Sequence, residues 1–276
     1  MSIADIKYKQ LIKDIHSNGD WDISTNVRAK YADGTPAYCK SIFGRQIVFE
    51  EDEFPLITCK QVYWKAGIKE LDLFWIRQTT ERKAFEEVGL KFWNEWILND
   101  GPYKDTLGTS YAYQMQRNGR NQVKELLYNL VNNPTSKRHL VSFWNYEEVL
   151  QKALQECCWA FQFHVRGDRL DLLLLQRSAD IGIGTPTNWN SYKALQLLVA
   201  HCTGYKPGRF IHQIGNLHYY DRHEKDLLSL LEATEYGQPE LILDTSKGTD
   251  FFNYSWTDFK VDKYQYGHFI PMEVAI

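Results

Sequence analysis

The sequence has few cysteines, almost no net charge and no long hydrophobic run. Its 276 residues include five cysteines, none of them in a Cys-x-x-Cys pair, which excludes a disulfide framework and a zinc knuckle. A formal charge of −3 gives no electrostatic reason to expect nucleic acid binding. No apolar stretch approaches the roughly 20 residues of a membrane helix, and the first ten residues lack the apolar run of a signal peptide. We therefore expect a cytoplasmic protein with no metal site, no nucleic acid partner and no membrane partner.

Material for a hydrophobic core is abundant. Apolar residues make up 43% of the chain and aromatic residues 14%, which excludes disorder as its main state. At roughly 100–200 residues per domain, the length fits one large domain or two small ones. Because the chain has no internal repeat, low-complexity tract or obvious linker, we predict a single mixed α/β domain over residues 1–276.

Hydrophobic periodicity predicts the main helices and strands. We predict helices over residues 3–15, 65–77, 124–132 and 192–202. We predict strands over residues 39–49, 139–144 and 210–220, and a β-hairpin whose two alternating apolar runs flank a turn at 166–168. Residues 99–122 and 179–190 are rich in Gly, Asn and Thr, and we predict that both are loops.

One cysteine lies where a nucleophile could act. Cys157 comes just before the first strand of the predicted hairpin, and Arg177 lies near the end of the partner strand, among leucines. A guanidinium close to a thiol favours the thiolate, which is the nucleophilic form. For a cytosolic cysteine taken alone, a role as a small core residue is more common, so the arginine is the informative feature.

Several polar and aromatic residues are candidates for ligand binding. The Asn188 side chain both donates and accepts hydrogen bonds, and so it can pair with an amide-like ring edge. His218 and Tyr220 are two apart on a predicted strand and point to the same side, where they could hold a sugar hydroxyl or line a core edge. Trp93 and Trp96, three apart on a predicted helical turn, could be core aromatics or a stacking surface.

A carboxylate is also placed unusually. Glu70 lies in the predicted helix 65–77, which is apolar around most of its circumference. Burying a carboxylate is unfavourable unless it is paired or has a function. We therefore include Glu70 among the candidate functional residues.

The order and spacing of motifs along nearly the whole chain resemble the thymidylate synthase family. The motifs are VRAKYADGTPA, IKEL, FWNEW, LGTSYAYQ, PTSKRHLVSFWN, CCWAFQF, LLQRSADIGIGTPTN, IGNLHYY and the closing VAI. The resemblance implies a three-layer mixed α/β fold whose large mixed sheet packs against its copy in an obligate homodimer. It also implies that arginines from one subunit complete the active site of the other.

The resemblance implies a one-carbon transfer to dUMP. The Cys157 thiolate is expected to add to C6 of uracil, which makes C5 a carbon nucleophile. C5 then attacks the methylene group of 5,10-methylenetetrahydrofolate, and Tyr111 with an ordered water network around Glu70 assists loss of the C5 proton. Hydride transfer from the folate completes the methyl group. The products are dTMP and dihydrofolate, and the folate is a co-substrate.

Site residues follow from the resemblance motif by motif. Catalytic roles are implied for Cys157, Glu70, Tyr111 and Arg177. Binding of dUMP is implied for Arg28, Gln176, Arg177, Ser178, Asn188, His218 and Tyr220, and for Lys137 and Arg138 from the partner subunit. Binding of folate is implied for Lys60, Trp93, Trp96, Asp180, Gly184 and Ala275, with the tail 274–276 closing over the site to exclude water.

The sequence also departs from the family pattern. The departures are Glu156 and Cys158 on either side of the nucleophile, Thr187 before Asn188, Asn216, Asn94 and Lys137. They leave a related reaction as an alternative, in which water instead of hydride adds to the one-carbon unit and the product is a hydroxymethylated nucleotide. The intact tail, Leu154 and Trp93 favour exclusion of water and hence methylation, and Asn188 favours dUMP over dCMP in both reactions.

A non-enzymatic nucleotide-binding module is the third hypothesis. Such a module has no need for Cys157, Tyr111 and Arg177 together. The combination of these three residues therefore favours an enzyme.

Overall fold

The computed structural model describes residues 2–23, 26–149 and 151–276. In these residues the α-helices are α1 (Ile3–Asn18), α2 (Trp64–Leu71), α3 (Arg82–Glu87), α4 (Ala112–Met115), α5 (Gln122–Asn132), α6 (Gly184–Thr203) and α7 (Glu224–Ser229). The strands are β1 (Asp20–Trp21), β2 (Cys39–Phe49), β3 (Leu140–Ser142), β4 (Cys158–Arg166), β5 (Arg169–Asp180), β6 (Lys206–Tyr220), β7 (Glu240–Leu243) and β8 (Phe259–Asp262). None of these helices is both long enough and apolar enough to cross a membrane.

Six strands form one large mixed sheet in the order β1-β2-β6-β5-β4-β3. All neighbouring pairs are antiparallel except β5 and β6, which are parallel and joined by α6. A parallel pair needs such a crossover connection, because its strands run in the same direction. Strands β7 and β8 form a separate two-stranded sheet. The prediction of a mixed α/β fold with a large mixed sheet is confirmed.

The two faces of the large sheet differ in burial. One row of paired residues is nearly inaccessible to solvent and contributes to the core: Val141, Phe161, Leu174, His212 and Ile47. The neighbouring row on the opposite face is half-buried or exposed and is largely apolar: Leu140, Gln162, Leu173, Ile211 and Val48. Successive residues of a strand point to opposite faces, so the first row packs on the helices and the second does not.

The hairpin β4–β5 joins the two residues singled out in the sequence. Cys158 pairs with Gln176, and the register shifts between Cys158 and Ala160. The Arg177 backbone N–H donates to the Cys157 carbonyl oxygen at 2.8 Å. The strand end is thereby fixed beside the loop that bears the cysteine.

The parallel unit β5–α6–β6 brings three more segments to the same end of the sheet. Asp180 at the end of β5 pairs with His218 near the end of β6. Helix α6 begins at Gly184, four residues after β5 ends, and places Asn188 in its second turn. In open α/β sheets, ligands bind outside the carboxyl ends of the parallel strands.

Most of the predicted elements are present, but their bounds differ. The strand predicted over 139–144 covers only Leu140–Ser142, and the predicted loop 99–122 contains the short helix α4. The prediction of a loop over residues 179–190 is wrong. Strand β5 extends to Asp180 and α6 starts at Gly184.

The helix predicted over 65–77 changes its winding halfway. It is α-helical to Leu71 and π-helical over Asp72–Ile76. The Arg77 N–H donates to the Asp72 carbonyl oxygen at 2.8 Å, five residues back, and the two side chains form an ion pair at 3.1 Å. Such π segments are rare and occur often at functional sites.

Candidate active site

The loop that precedes β4 is held by the side chain of Arg177. Its Nε donates to the Glu156 carbonyl oxygen at 3.0 Å, and its Nη2 donates to the Gln155 carbonyl oxygen at 2.9 Å. The same Nη2 lies 3.8 Å from the Sγ of Cys157. One guanidinium therefore fixes the loop and touches the sulfur, as the sequence predicted for this pair.

The protonation of Cys157 reflects opposing influences. Burial raises the pKa of the Cys157 thiol and the Glu156 carboxylate adds to this, whereas the positive charges of Arg177 and Arg28 lower it. The thiol is therefore the resting form. Its conversion to thiolate depends on the two guanidinium groups.

A buried ion pair lies within the same loop. Lys152 Nζ donates to both carboxylate oxygens of Glu156, at 2.8 and 2.9 Å, and both side chains are almost completely inaccessible. Glu156 Oε1 also accepts from the Tyr111 backbone N–H at 3.2 Å. Tyr111 has a φ of 33°, which is uncommon for a residue other than glycine. The pair thus connects the loop bearing Cys157 to a strained tyrosine.

Cys157 opens into a cavity of about 260 Å³ that most of the predicted site residues line. The predicted residues in its wall are Glu70, Trp93, Tyr111, Cys157, Gln176, Ser178, Asp180, Gly184, Asn188, Tyr220 and Ala275. The wall also contains Val274 of the predicted tail, and residues that the sequence did not indicate as site residues: Phe74, Trp75, Cys158, Ile183, Ser191 and Tyr192. Several of these are aromatic, and their apolar character alone does not separate them from core residues.

Glu70 is the carboxylate of this cavity. Trp93 Nε1 donates to Glu70 Oε1 at 2.8 Å. Burial raises the pKa of Glu70 to about 7, although the hydrogen bond from Trp93 lowers it. A carboxyl group that titrates near neutral pH can take up or release a proton during turnover.

A second cavity of about 650 Å³ adjoins the first and shares part of its wall. The shared residues are Glu70, Ile183, Gly184, Asn188 and Val274. Lys60 and Trp96, both predicted to bind folate, line only this second cavity. Lys60 Nζ donates to the Gly182 carbonyl oxygen at 2.5 Å, and burial lowers the pKa of Lys60.

The C-terminal tail covers both cavities. The Ile276 N–H donates to the Lys30 carbonyl oxygen at 2.9 Å, and the Lys30 N–H donates back at 2.8 Å. The Glu273 carboxylate accepts from Arg222 Nη1 at 2.7 Å. Val274 and Ala275 line the smaller cavity between these two anchors. The sequence indicated the tail but not Arg222 or Glu273 as its anchors.

Five predicted residues do not line either cavity, and one of them is Arg177, whose guanidinium is bonded to the loop before β4. Arg28 is exposed, but it is close enough to lower the pKa of Cys157. His218 is buried beside Tyr220, and its Nδ1 lies 2.8 Å from Asn216 Oδ1. Lys137 and Arg138 are exposed. Arg138 lines a separate polar cavity of about 800 Å³ between α5 and β3.

The Lys152–Glu156 pair yields a stability prediction. Lys152→Met leaves a buried carboxylate without its counter-charge, so we expect the free energy of unfolding to fall by about 3–5 kcal/mol. The double variant Lys152→Met with Glu156→Gln removes that charge and is expected to recover most of the loss. Urea unfolding monitored by fluorescence measures both. Equal stability of the single and double variants contradicts this account of the pair.

Comparison with known proteins places this geometry in a family. The model of the thymidylate synthase family matches residues 6–276. Two relatives are each 35% identical to this chain over an alignment of 284 positions that covers all of both chains. They are thymidylate synthase 1 of Bacillus subtilis (strain 168) and the thymidylate synthase of Bacillus phage phi3T. The solved structure of thermostable thymidylate synthase A from Bacillus subtilis has 36% identity and a TM-score of 0.92, and the match covers 99% of each chain. The chain therefore belongs to the thymidylate synthase family.

Proposed function

We propose that the protein transfers a one-carbon unit from 5,10-methylenetetrahydrofolate to C5 of dUMP and reduces it, giving dTMP and dihydrofolate. The observation that carries the proposal is the contact between Cys157 Sγ and Arg177 Nη2 at 3.8 Å, at a cavity that Asn188 also lines. These groups supply a nucleophile, its activating cation and a base-pairing amide. The full-length matches to thymidylate synthases support the same reaction.

Cys157 is the proposed nucleophile. Its sulfur forms a bond to C6 of uracil, and the electron pair of the C5–C6 double bond moves toward the C4 carbonyl. Arg177 favours the thiolate electrostatically. Since burial opposes the thiolate, a bound substrate that keeps the guanidinium next to the sulfur promotes the addition.

Tyr111 and Glu70 are the proposed groups for proton movement. Both line the cavity into which Cys157 opens. Burial raises the pKa of the Tyr111 hydroxyl well above its usual value, so this hydroxyl stays protonated and acts as a donor. Glu70, with its pKa of about 7, is the group that exchanges protons with ordered water near C5.

The second cavity fits the folate. It is large, it adjoins the thiol cavity, and its wall includes Trp96, Phe92, Val62 and Ile270 beside Lys60. Methylenetetrahydrofolate, when bound, supplies both the one-carbon unit and the hydride. The aromatic wall suits a planar ring system, and Lys60 suits a carboxylate of the glutamate tail. Gly184 lies in the wall that the two cavities share, and Asp180 lies in the wall of the thiol cavity.

Exclusion of water favours methylation over hydroxymethylation. The tail is anchored at Lys30 and at Arg222, and Val274 and Ala275 lie against the cavity. Trp93 is buried next to Glu70. A closed apolar cover limits access of water to the one-carbon unit, so that hydride has no competitor.

We propose a homodimer that shares its sites. The opposite face of the large sheet exposes apolar side chains, among them Phe43 at 84% and Leu140 at 47%, and such patches mark interfaces. Lys137 and Arg138 are exposed and lie outside both cavities of their own chain. They suit the dUMP phosphate of a second copy, beside that copy's Arg28, Arg177 and Ser178. His218 and Tyr220 hold the sugar from within the chain.

We further propose that residues 1–276 act as a single domain. One continuous cluster of buried residues extends from Ala4 to Phe259. The tail at Ile276 is bonded to Lys30 near the other end of the chain.

The role of Cys157 is tested by isotope release. Cys157→Ser is expected to bind dUMP but to lose release of tritium from [5-³H]dUMP by at least a thousandfold, because the hydroxyl is a far weaker nucleophile (about 10³ or more). Cys202→Ser, at a half-buried cysteine outside both cavities, is the matched control. Tritium release that survives in Cys157→Ser removes the proposed nucleophile.

The products then separate the two enzymatic reactions. With dUMP and methylenetetrahydrofolate we expect dTMP and dihydrofolate in equal amounts. Tetrahydrofolate together with 5-hydroxymethyl-dUMP identifies the water-using reaction instead. Binding of dUMP with neither product supports the non-enzymatic module.

The raised pKa of Glu70 predicts a pH-dependent stability difference. The folded pKa of about 7 exceeds the ordinary value of 4.5, so ionisation of Glu70 destabilises the folded state. Relative to Glu70→Gln, the free energy of unfolding should fall as the pH rises from about 4.5, by about 3 kcal/mol once the pH exceeds about 7. Chemical unfolding from pH 4 to pH 8 measures it. If the stability difference between the wild-type protein and Glu70→Gln does not change with pH, the Glu70 carboxyl does not have the raised pKa that its burial implies.

Subunit mixing tests the shared site. Cys157→Ser and Arg138→Ala are each expected to be severely impaired. After unfolding and refolding them together, half of the dimers carry one chain of each kind, and one of their two sites is intact, so about a quarter of wild-type activity should return. Separately refolded samples are the control. No recovery, although sedimentation shows mixed dimers, contradicts a contribution of Arg138 across the interface.

A further inference from the structure

A chain of hydrogen bonds leads from the core to Asn188. Trp189 Nε1 donates to His212 Nδ1 at 2.9 Å, and His212 Nε2 lies 2.8 Å from Gln176 Oε1. Asn188 Nδ2 donates to the same Gln176 Oε1 at 3.3 Å, and Gln176 Nε2 donates to the Ser178 carbonyl oxygen at 2.9 Å. We call the three side chains Trp189, His212 and Gln176 the relay.

The polarity of the relay is determined at both of its ends. An indole N–H can only donate, so His212 Nδ1 must be the acceptor and Nε2 must carry the hydrogen. A backbone carbonyl can only accept, so the atom of Gln176 that faces Ser178 must be the amide nitrogen. Both conditions leave Gln176 Oε1 as an acceptor, which accepts a hydrogen bond from the N–H of His212 Nε2. Both ends therefore require the same donor-to-acceptor order, in which Trp189 donates to His212 and His212 donates to Gln176.

Burial keeps the relay in this state. Trp189 and His212 are fully inaccessible and Gln176 is 3% exposed. His212 stacks on Phe210 with ring centroids 6.3 Å apart. Burial lowers the pKa of His212 to about 3, so the imidazole is neutral and keeps one tautomer at physiological pH. If the His212 ring or the Gln176 amide is flipped, a polar atom in the core is left without a hydrogen-bond partner.

The relay determines how Asn188 presents its amide. Because Gln176 Oε1 accepts, Asn188 must direct its nitrogen toward Gln176. Among the described residues no donor is bonded to Asn188 Oδ1, and Asn188 lines both cavities. An amide oxygen accepts from the N3–H of uracil. The N3 of cytosine has no hydrogen and repels it.

We propose that Trp189 and His212 are positioning residues that set the preference for uracil over cytosine, by fixing through Gln176 which atom of the Asn188 amide is available to the base. The inference rests on the proposed function, because it takes the base to be that of dUMP. Neither residue lines the cavities. Both therefore act through the relay and not by contact with the substrate.

The test compares two substitutions of similar size at one position. His212→Gln can accept from Trp189 with its oxygen and donate to Gln176 with its nitrogen, so it keeps the direction of the relay. His212→Leu can do neither. Affinities for dUMP and dCMP are measured by calorimetry without folate, and thermal unfolding verifies that both variants are folded. Phe210→Leu changes the packing on the same side chain without removing a hydrogen bond, and it is the packing control.

We expect the dUMP-to-dCMP affinity ratio to fall about tenfold in His212→Leu, the equivalent of one lost hydrogen-bond constraint. The ratio should stay within about threefold of wild type in His212→Gln and Phe210→Leu. In wild-type protein labelled with ¹⁵N-histidine, His212 should show a bare Nδ1 and a protonated Nε2 that do not titrate between pH 5 and 8.

Two results overturn the inference while leaving the proposed function intact. One is an unchanged affinity ratio in His212→Leu, and the other is an equal fall in His212→Gln and His212→Leu. Either result shows that the direction of the relay does not matter. Failure of the wild-type protein to bind dUMP overturns the proposed function itself and the inference with it.

Discussion

The site depends on the hydrogen bonds that the Arg177 side chain donates to the loop before β4. Its guanidinium bonds to two successive carbonyl oxygens of the loop and touches the sulfur of Cys157. Its backbone N–H continues the β ladder to the same cysteine. A single residue therefore sets the position of the proposed nucleophile and supplies the charge that offsets its burial. Substrate binding and thiol activation are thereby coupled, because the phosphate proposed for this guanidinium has to share it with the sulfur.

The sheet explains why the other groups converge on that point. The hairpin brings Cys157 to Arg177, and the parallel pair β5–β6 with its crossover helix brings Asn188 and Tyr220 to the same end. Helix α2 and the tail then close the cavity from the other side. The polar atoms of this site are ordered by buried partners, namely Lys152 for Glu156 and His212 for Gln176. Preorganisation of this kind reduces the rearrangement needed in the reaction.

How far the sequence predicts this arrangement differs from element to element. The hairpin was predictable because apolar alternation on both sides of a Gly turn is a strong signal, and motif order indicated Cys157, Arg177 and Asn188 as candidate site residues. The start of α6 was not predictable, because Gly184, Pro186 and Asn188 have low helix propensity. The first turn tolerates proline there, since its N–H groups lack helical partners, and packing on the sheet overrides propensity. The relay joins β5, α6 and β6, and only strand register and helix packing bring those positions together.

The central claim is that the Cys157 sulfur bonds to C6 of the pyrimidine before the one-carbon unit is transferred. It is tested most directly with 5-fluoro-dUMP and methylenetetrahydrofolate, because fluorine at C5 cannot leave as a proton does and the covalent complex persists. Mass spectrometry of the digested complex should find the nucleotide and the folate on the peptide that contains Cys157, with fragment ions that assign them to that residue. An unmodified Cys157, or a modification at Cys158, contradicts the account.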